Sequence, residues 1–128
     1  MIGCLEPGAG TLDYVNAGHP APCVIERGEQ RELDAVPFGV LPDVPYQRAS
    51  VNLEPGALFA VFSDGIPEAQ RGEEFFDEDR LRSALREAAK LPDLEAARSA
   101  VLARVDEFLG GARRTDDLTL LLLRRAAG

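Results

Sequence analysis

Two apolar runs, each bounded by an acidic turn at the opposite end, constrain this chain more than anything else in it. Ala57-Leu58-Phe59-Ala60-Val61-Phe62 reads as a buried strand, with Ser63-Asp64-Gly65 just past its C-terminal end. Leu118-Thr119-Leu120-Leu121-Leu122-Leu123 reads as another, with Thr115-Asp116-Asp117 just before its N-terminal end. If the two strands pair antiparallel, those ends meet on one edge of the sheet. Asp64, Asp116 and Asp117 then converge where a hard cation could be held.

Taken singly, neither turn is informative. Asp-Gly is a common hairpin turn in which Gly65 permits a positive φ, and adjacent acids often do no more than solvate a loop. Taken together they say more. Like charges gathered at one sheet edge repel unless a cation neutralises them. Oxygen-only ligands suit Mg²⁺ or Mn²⁺, and a two-metal site can clamp a phosphate and ionise a water for in-line attack. Glu68 follows closely, either as a surface acid or as a contact to water at such a site. His19, the only histidine, sits in a Gly18-His19-Pro20 turn. Asn16 and Gly18 either shape that turn structurally or place the imidazole near the chemistry.

The rest of the chain supplies the scaffold. Met1–Leu5, Thr11–Ala17, Ala21–Arg27 and Gln30–Leu33 read as an antiparallel meander, punctuated at Glu6–Gly10, at Gly18-His19-Pro20 and at Gly28-Glu29. A Pro- and Gly-rich loop follows from Val36 to Pro45, and then an edge strand over Tyr46–Leu53. After Asp64 the periodicity becomes helical. Asp77 is an N-cap, with Phe76 stapling to Leu81, and Leu81, Ala84, Leu85 and Ala88 form one apolar stripe. Pro92-Asp93 opens a second helix with the stripe Leu94, Ala97, Val101, Val105 and Phe108, and Gly110-Gly111 ends it. Strands, two helices and a closing strand predict an α+β fold, antiparallel β-sheet layers with helices packed on the outside.

At 128 residues the chain is one domain at most. Fourteen Lys and Arg against 22 Asp and Glu give a net charge of −8. No basic stripe is present to displace counterions, which argues against a nucleic-acid partner. Arg80, Arg82, Arg86, Arg98 and Arg104 are scattered, and Arg124 and Arg125 sit at the tail; all read as solvated surface. No run approaches the roughly 20 apolar residues that span a bilayer, and there is no secretion signal at Met1. A cytoplasmic protein without membrane association is expected. Cys4 and Cys23 form no metal or redox spacing and read as two reduced core thiols.

Four segments occur in order: Asn16-Ala17-Gly18-His19-Pro20, Pro37-Phe38-Gly39-Val40-Leu41, Phe62-Ser63-Asp64-Gly65-Ile66-Pro67-Glu68-Ala69 and Thr115-Asp116-Asp117-Leu118-Thr119. Together they resemble the motifs of the SpoIIE/RsbU branch of bacterial metal-dependent (PPM, type 2C-like) serine/threonine protein phosphatases, over nearly the whole chain. The resemblance implies an α-β-β-α sandwich with its N-terminal part missing. It implies that Asp64 and Asp116 are metal ligands, that Gly65 ligates through its backbone or shapes the turn, and that Asp117 orients its neighbour. Asn16, His19 and Glu68 support the site, and no further catalytic residue is assigned. The implied reaction is hydrolysis of phosphoserine or phosphothreonine, dependent on Mn²⁺ or Mg²⁺. Its substrate would be a phosphoprotein of the anti-sigma factor antagonist kind.

One departure matters. The family carries an earlier Asp-x-[ST]-G-H-G-like segment whose aspartate bridges two metals, and nothing here matches it. Gly8-Ala9-Gly10 is a turn without the aspartate. Met1 also lies only a residue or so into a strand, with no preceding element to cover its sheet. The chain is therefore expected to be the C-terminal portion of a phosphatase domain over residues 1–125, with 126–128 a tail. It would be weakly active or inactive alone, and its exposed sheet edge and face would suit a homodimer. The alternative is a non-catalytic phosphoprotein-binding or scaffold module that keeps the fold.

Overall fold

The computed structural model describes residues 1–33, 45, 47–114 and 116–126. The Pro37-Phe38-Gly39 segment, Tyr46 and Thr115 lie outside the described residues, with most of the loop expected between Val36 and Pro45. Three layers are stacked: a three-stranded sheet, a four-stranded sheet and a pair of helices. Strands β1 (Ile2–Glu6), β2 (Thr11–Val15) and β5 (Ala49–Asn52) form the first sheet, in the order β1-β2-β5. Strands β3 (Cys23–Glu26), β4 (Glu29–Glu32), β6 (Leu58–Phe62) and β9 (Leu120–Arg124) form the second, in the order β4-β3-β6-β9. Every pairing in both sheets is antiparallel.

Strand alternation divides the apolar residues between two cores. On one face of the second sheet Cys23, Ile25, Leu58 and Ala60 are buried with the helix residues Leu81, Leu85, Ala97, Val101 and Val105. On its other face Val24 and Phe59 are buried with Leu12, Tyr14 and Val51 of the first sheet. The predicted α+β architecture of antiparallel layers with external helices is therefore what forms.

The expected meander is broken once. After Val15 the chain does not return beside β2; it crosses through Asn16–Pro22 into the second sheet, where β3 pairs with β4 and β6. The β3–β4 hairpin turns at Arg27-Gly28, one residue earlier than expected, with φ of 51° and 83°. Two successive positive φ values match the type I′ geometry whose twist suits a two-residue hairpin.

Helices α1 (Asp77–Ala89) and α2 (Leu94–Leu109) cover the second sheet. Asp77 has φ 61°, and its carboxylate accepts the Arg80 amide at 2.9 Å, so it caps the helix although the helical span includes it. Asp93 caps α2 by accepting from Ala96 N at 2.7 Å, and Gly110 ends it in the left-handed region at φ 56°. Leu94, placed on the α2 stripe by its spacing, is instead 36% exposed in the first turn. A short hairpin, β7 (Gln70–Arg71) with β8 (Glu74–Phe75), leads into α1. Phe76 then packs edge-on against Phe108, with ring centroids 5.7 Å apart.

Three surface assignments are corrected. Cys4 is exposed, and only Cys23 is a core thiol. Cys4 pairs with Asp13, between the inward-facing Leu12 and Tyr14, so its side chain shares the outward face of the first sheet. Arg124 and Arg125 are not free surface cations. Arg124 donates to the carbonyls of Ala89, Leu91 and Pro92 at the end of α1, where a cation complements the helix dipole. Arg125 donates to Leu53 O at 2.6 Å and lies directly over Gly10. No helix among the described residues is long and apolar enough to cross a membrane.

Candidate functional site

Strands β6 and β9 pair from Leu58↔Arg124 to Phe62↔Leu120. The C-terminal end of β6 therefore abuts the N-terminal end of β9, and the two acidic turns meet at one sheet edge as their spacing predicts. Just beyond the ladder, Ser63 N donates to Thr119 O at 3.0 Å. Ser63 Oγ accepts from Thr119 N at 3.0 Å and donates to Asp117 O at 3.1 Å.

Gly65 sits against the partner turn. A Cβ placed there would fall well inside 3.0 Å of Asp117 O and 3.4 Å from Asp116 Cβ. Its φ is not positive, so the glycine is required by close approach of the two backbones and not by left-handed geometry. The expected positive φ is thus corrected.

Asp64 Oδ1 accepts from Gly65 N at 3.0 Å, and Asp116 Oδ1 accepts from Asp117 N at 2.7 Å. Each carboxylate bends back onto the next amide, leaving its second oxygen clear of that bond. Asp64, Asp116 and Asp117 are exposed. Among the described residues, none of the three pairs with a cationic side chain, although Arg and Lys pair with other acids across the surface. Three carboxylates do not, however, converge. Among the described residues no group of three or more His, Cys, Asp and Glu side chains could hold a metal ion. The oxygen donors of the two turns are of the type that suits a hard cation.

The supporting residues lie at the same end of the molecule. Because Cys23 pairs with Ala60 and Ile25 with Leu58, β3 begins where β6 ends, and the Asn16–Pro22 crossover enters beside the acidic edge. Asn16 is 3% exposed and holds that crossover at both ends of its amide. Its Nδ2 donates to His19 O at 3.1 Å, and its Oδ1 accepts from His19 N at 3.2 Å. The imidazole Nδ1 lies 3.1 Å from Pro20 O, so the local contacts of His19 are those of a turn residue. Glu68 is exposed one helical turn after Asp64, its amide donating to Asp64 O at 2.9 Å.

The clamping role of Ser63 was not foreseen from sequence. Its signal was a hydroxyl directly before Asp64, at the point where a strand stops and its ladder needs a substitute partner.

A family model for stage II sporulation protein E (SpoIIE) matches residues 1–126. The chain belongs to the SpoIIE family. This SpoIIE-family chain is 26% identical to protein IcfG of Synechocystis over 131 aligned residues, which cover 98% of it but 20% of IcfG. It superposes on the SiaA-PP2C domain of Pseudomonas aeruginosa with TM-score 0.74 and 26% identity, covering 91% of this chain and 47% of that one. It also matches the Mn-presoaked phosphatase domain of the Bacillus subtilis cell fate determinant SpoIIE, at TM-score 0.73 and 16% identity. That match covers 99% of this chain and 56% of the other. The fold is that of PPM phosphatase domains, and the chain spans about half the length of these structural relatives.

Proposed function

We propose that residues 1–125 are the C-terminal portion of a PPM-type protein phosphatase domain, followed by a tail, and supply one side of its two-metal centre. Asp64 and Asp116 are the ligands contributed from this side. Gly65 brings the Asp64 turn against its partner, and Asp117 orients Asp116. Asn16, His19 and Glu68 support the same edge. The observation that carries the reading is that two acidic turns 52 residues apart in sequence (Asp64 to Asp116) are bonded together through Ser63 without a cationic side chain among the described residues.

Mn²⁺ or Mg²⁺, when bound, would neutralise phosphate oxygens and activate water for attack on a phosphoserine or phosphothreonine. The chain's own residues hold the two turns together and leave the acids open to solvent. The substrate implied by the family resemblance is a phosphoprotein of the anti-sigma factor antagonist kind. With one side of the donor set, the isolated chain is expected to turn over weakly or not at all.

A malachite-green assay with Mn²⁺ and a small aryl phosphate tests this. Robust turnover abolished by Asp64→Asn would contradict the incomplete site. The genomic sequence upstream of the Met1 codon tests the phosphatase reading itself. An in-frame Asp-x-Ser-Gly-His-Gly-like segment supports it; absence of that segment, together with phosphopeptide binding and no turnover, would favour a binding module.

A further inference from the structure

The ladder between β6 and β9 ends at Phe62 and Leu120, yet the proposed ligands lie two and four residues beyond it. Over that gap one backbone bond, Ser63 N to Thr119 O at 3.0 Å, and one side chain replace the ladder. Ser63 Oγ uses its one hydrogen on Asp117 O at 3.1 Å and a lone pair on Thr119 N at 3.0 Å. Asp64 follows Ser63 directly, and Asp116 precedes Asp117 directly, so each acid is one residue from the clamp.

Resting on the metal-site reading above, we infer that Ser63 is a positioning residue, its hydroxyl fixing the spacing of Asp64 and Asp116 and thereby the affinity for a divalent cation. It touches neither metal nor substrate. Gly65 completes the device, because the backbones can approach only where no Cβ intervenes. Without the hydroxyl, the Asp117 carbonyl and Thr119 amide turn to water. Of the three bonds from Ser63 to the partner turn, the one from its backbone amide to Thr119 O remains, so the spacing of the turns loosens.

The test combines two readouts on the full chain and on Ser63→Ala, Ser63→Cys and Ser63→Thr. The first is amide hydrogen exchange at Thr119, which needs no metal. The second is calorimetric titration with Mn²⁺, with the thermal midpoint recorded alongside. Ser63→Ala and Ser63→Cys should raise Thr119 exchange and weaken Mn²⁺ binding by about 5- to 10-fold, the worth of roughly one to two net hydrogen bonds. Ser63→Thr, which keeps a hydroxyl, should restore both, and that rescue separates positioning from general destabilisation. Mn²⁺ binding by the unsubstituted chain that is equal in Ser63→Ala overturns the inference and leaves the metal site standing. If the unsubstituted chain binds no Mn²⁺, the metal reading fails and the inference with it. An unfolded Ser63→Ala leaves the decision to Ser63→Cys and Ser63→Thr; equal Mn²⁺ affinity in those two overturns the inference.

Discussion

Gly65 faces the Asp117 carbonyl so closely that a Cβ would fall well inside 3.0 Å of the oxygen. The obstacle is backbone in the turn before β9, which cannot swing away like the tip of a long side chain. Gly65→Ala should therefore push the Asp64 and Asp116 turns apart and cost about 1–3 kcal/mol, the usual range for overpacking. Urea unfolding would show a lower midpoint with an unchanged slope. A midpoint equal to that of the unsubstituted chain would mean the turns are loosely joined.

Arg124 joins the closing strand to the end of α1. Its guanidinium donates to the carbonyl of Ala89, the last residue of α1, and to those of Leu91 and Pro92 in the link to α2. Arg124→Met keeps the apolar stem and removes these charged donors. A loss of about 1–3 kcal/mol is expected, read as a lower thermal midpoint with far-ultraviolet circular dichroism unchanged at low temperature.

The two cysteines should behave oppositely. Burial pushes the Cys23 thiol up to about 12, whereas Cys4 is exposed on the outer sheet. At pH 8 a disulfide reagent should titrate one thiol in the native chain and two in denaturant, and Cys4→Ser should abolish the native signal. Because the folded value lies above the ordinary 9.0, the unfolded chain releases this proton first. The stabilisation by neutral Cys23 is complete below pH 9 and is lost as pH rises toward 12. Stability measured across that window should fall less steeply in Cys23→Ala than in the parent.

The elements with strong periodicity were legible in the sequence, and so was the meeting of the acidic turns. The stripe Leu81, Ala84, Leu85 and Ala88 is buried as its spacing required, and antiparallel pairing brings Ser63 beside Thr119. What escaped depended on contacts distant in sequence. Whether Cys4 faces in or out is set by its register against Asp13, which a five-residue apolar strand does not reveal. Arg124 and Arg125 looked like a solvated tail because their acceptors, Leu91 and Leu53 among them, are carbonyls, invisible to any residue pattern. Asp64-Gly65 suggested a turn, and only the approach of Asp117 shows why glycine is needed there. The convergence of three carboxylates overreached, since pairing of strand ends fixes where the turns lie but not where each carboxylate points.

The most direct measurement is calorimetric titration of the 128-residue chain with Mn²⁺, alongside Asp64→Asn and Asp116→Asn. Binding that weakens at least 10-fold in each variant, with thermal midpoints in metal-free buffer unchanged, is the predicted result. Binding equal in all three proteins, or no binding by the unsubstituted chain, would contradict the assignment of these two acidic turns as one side of a metal centre.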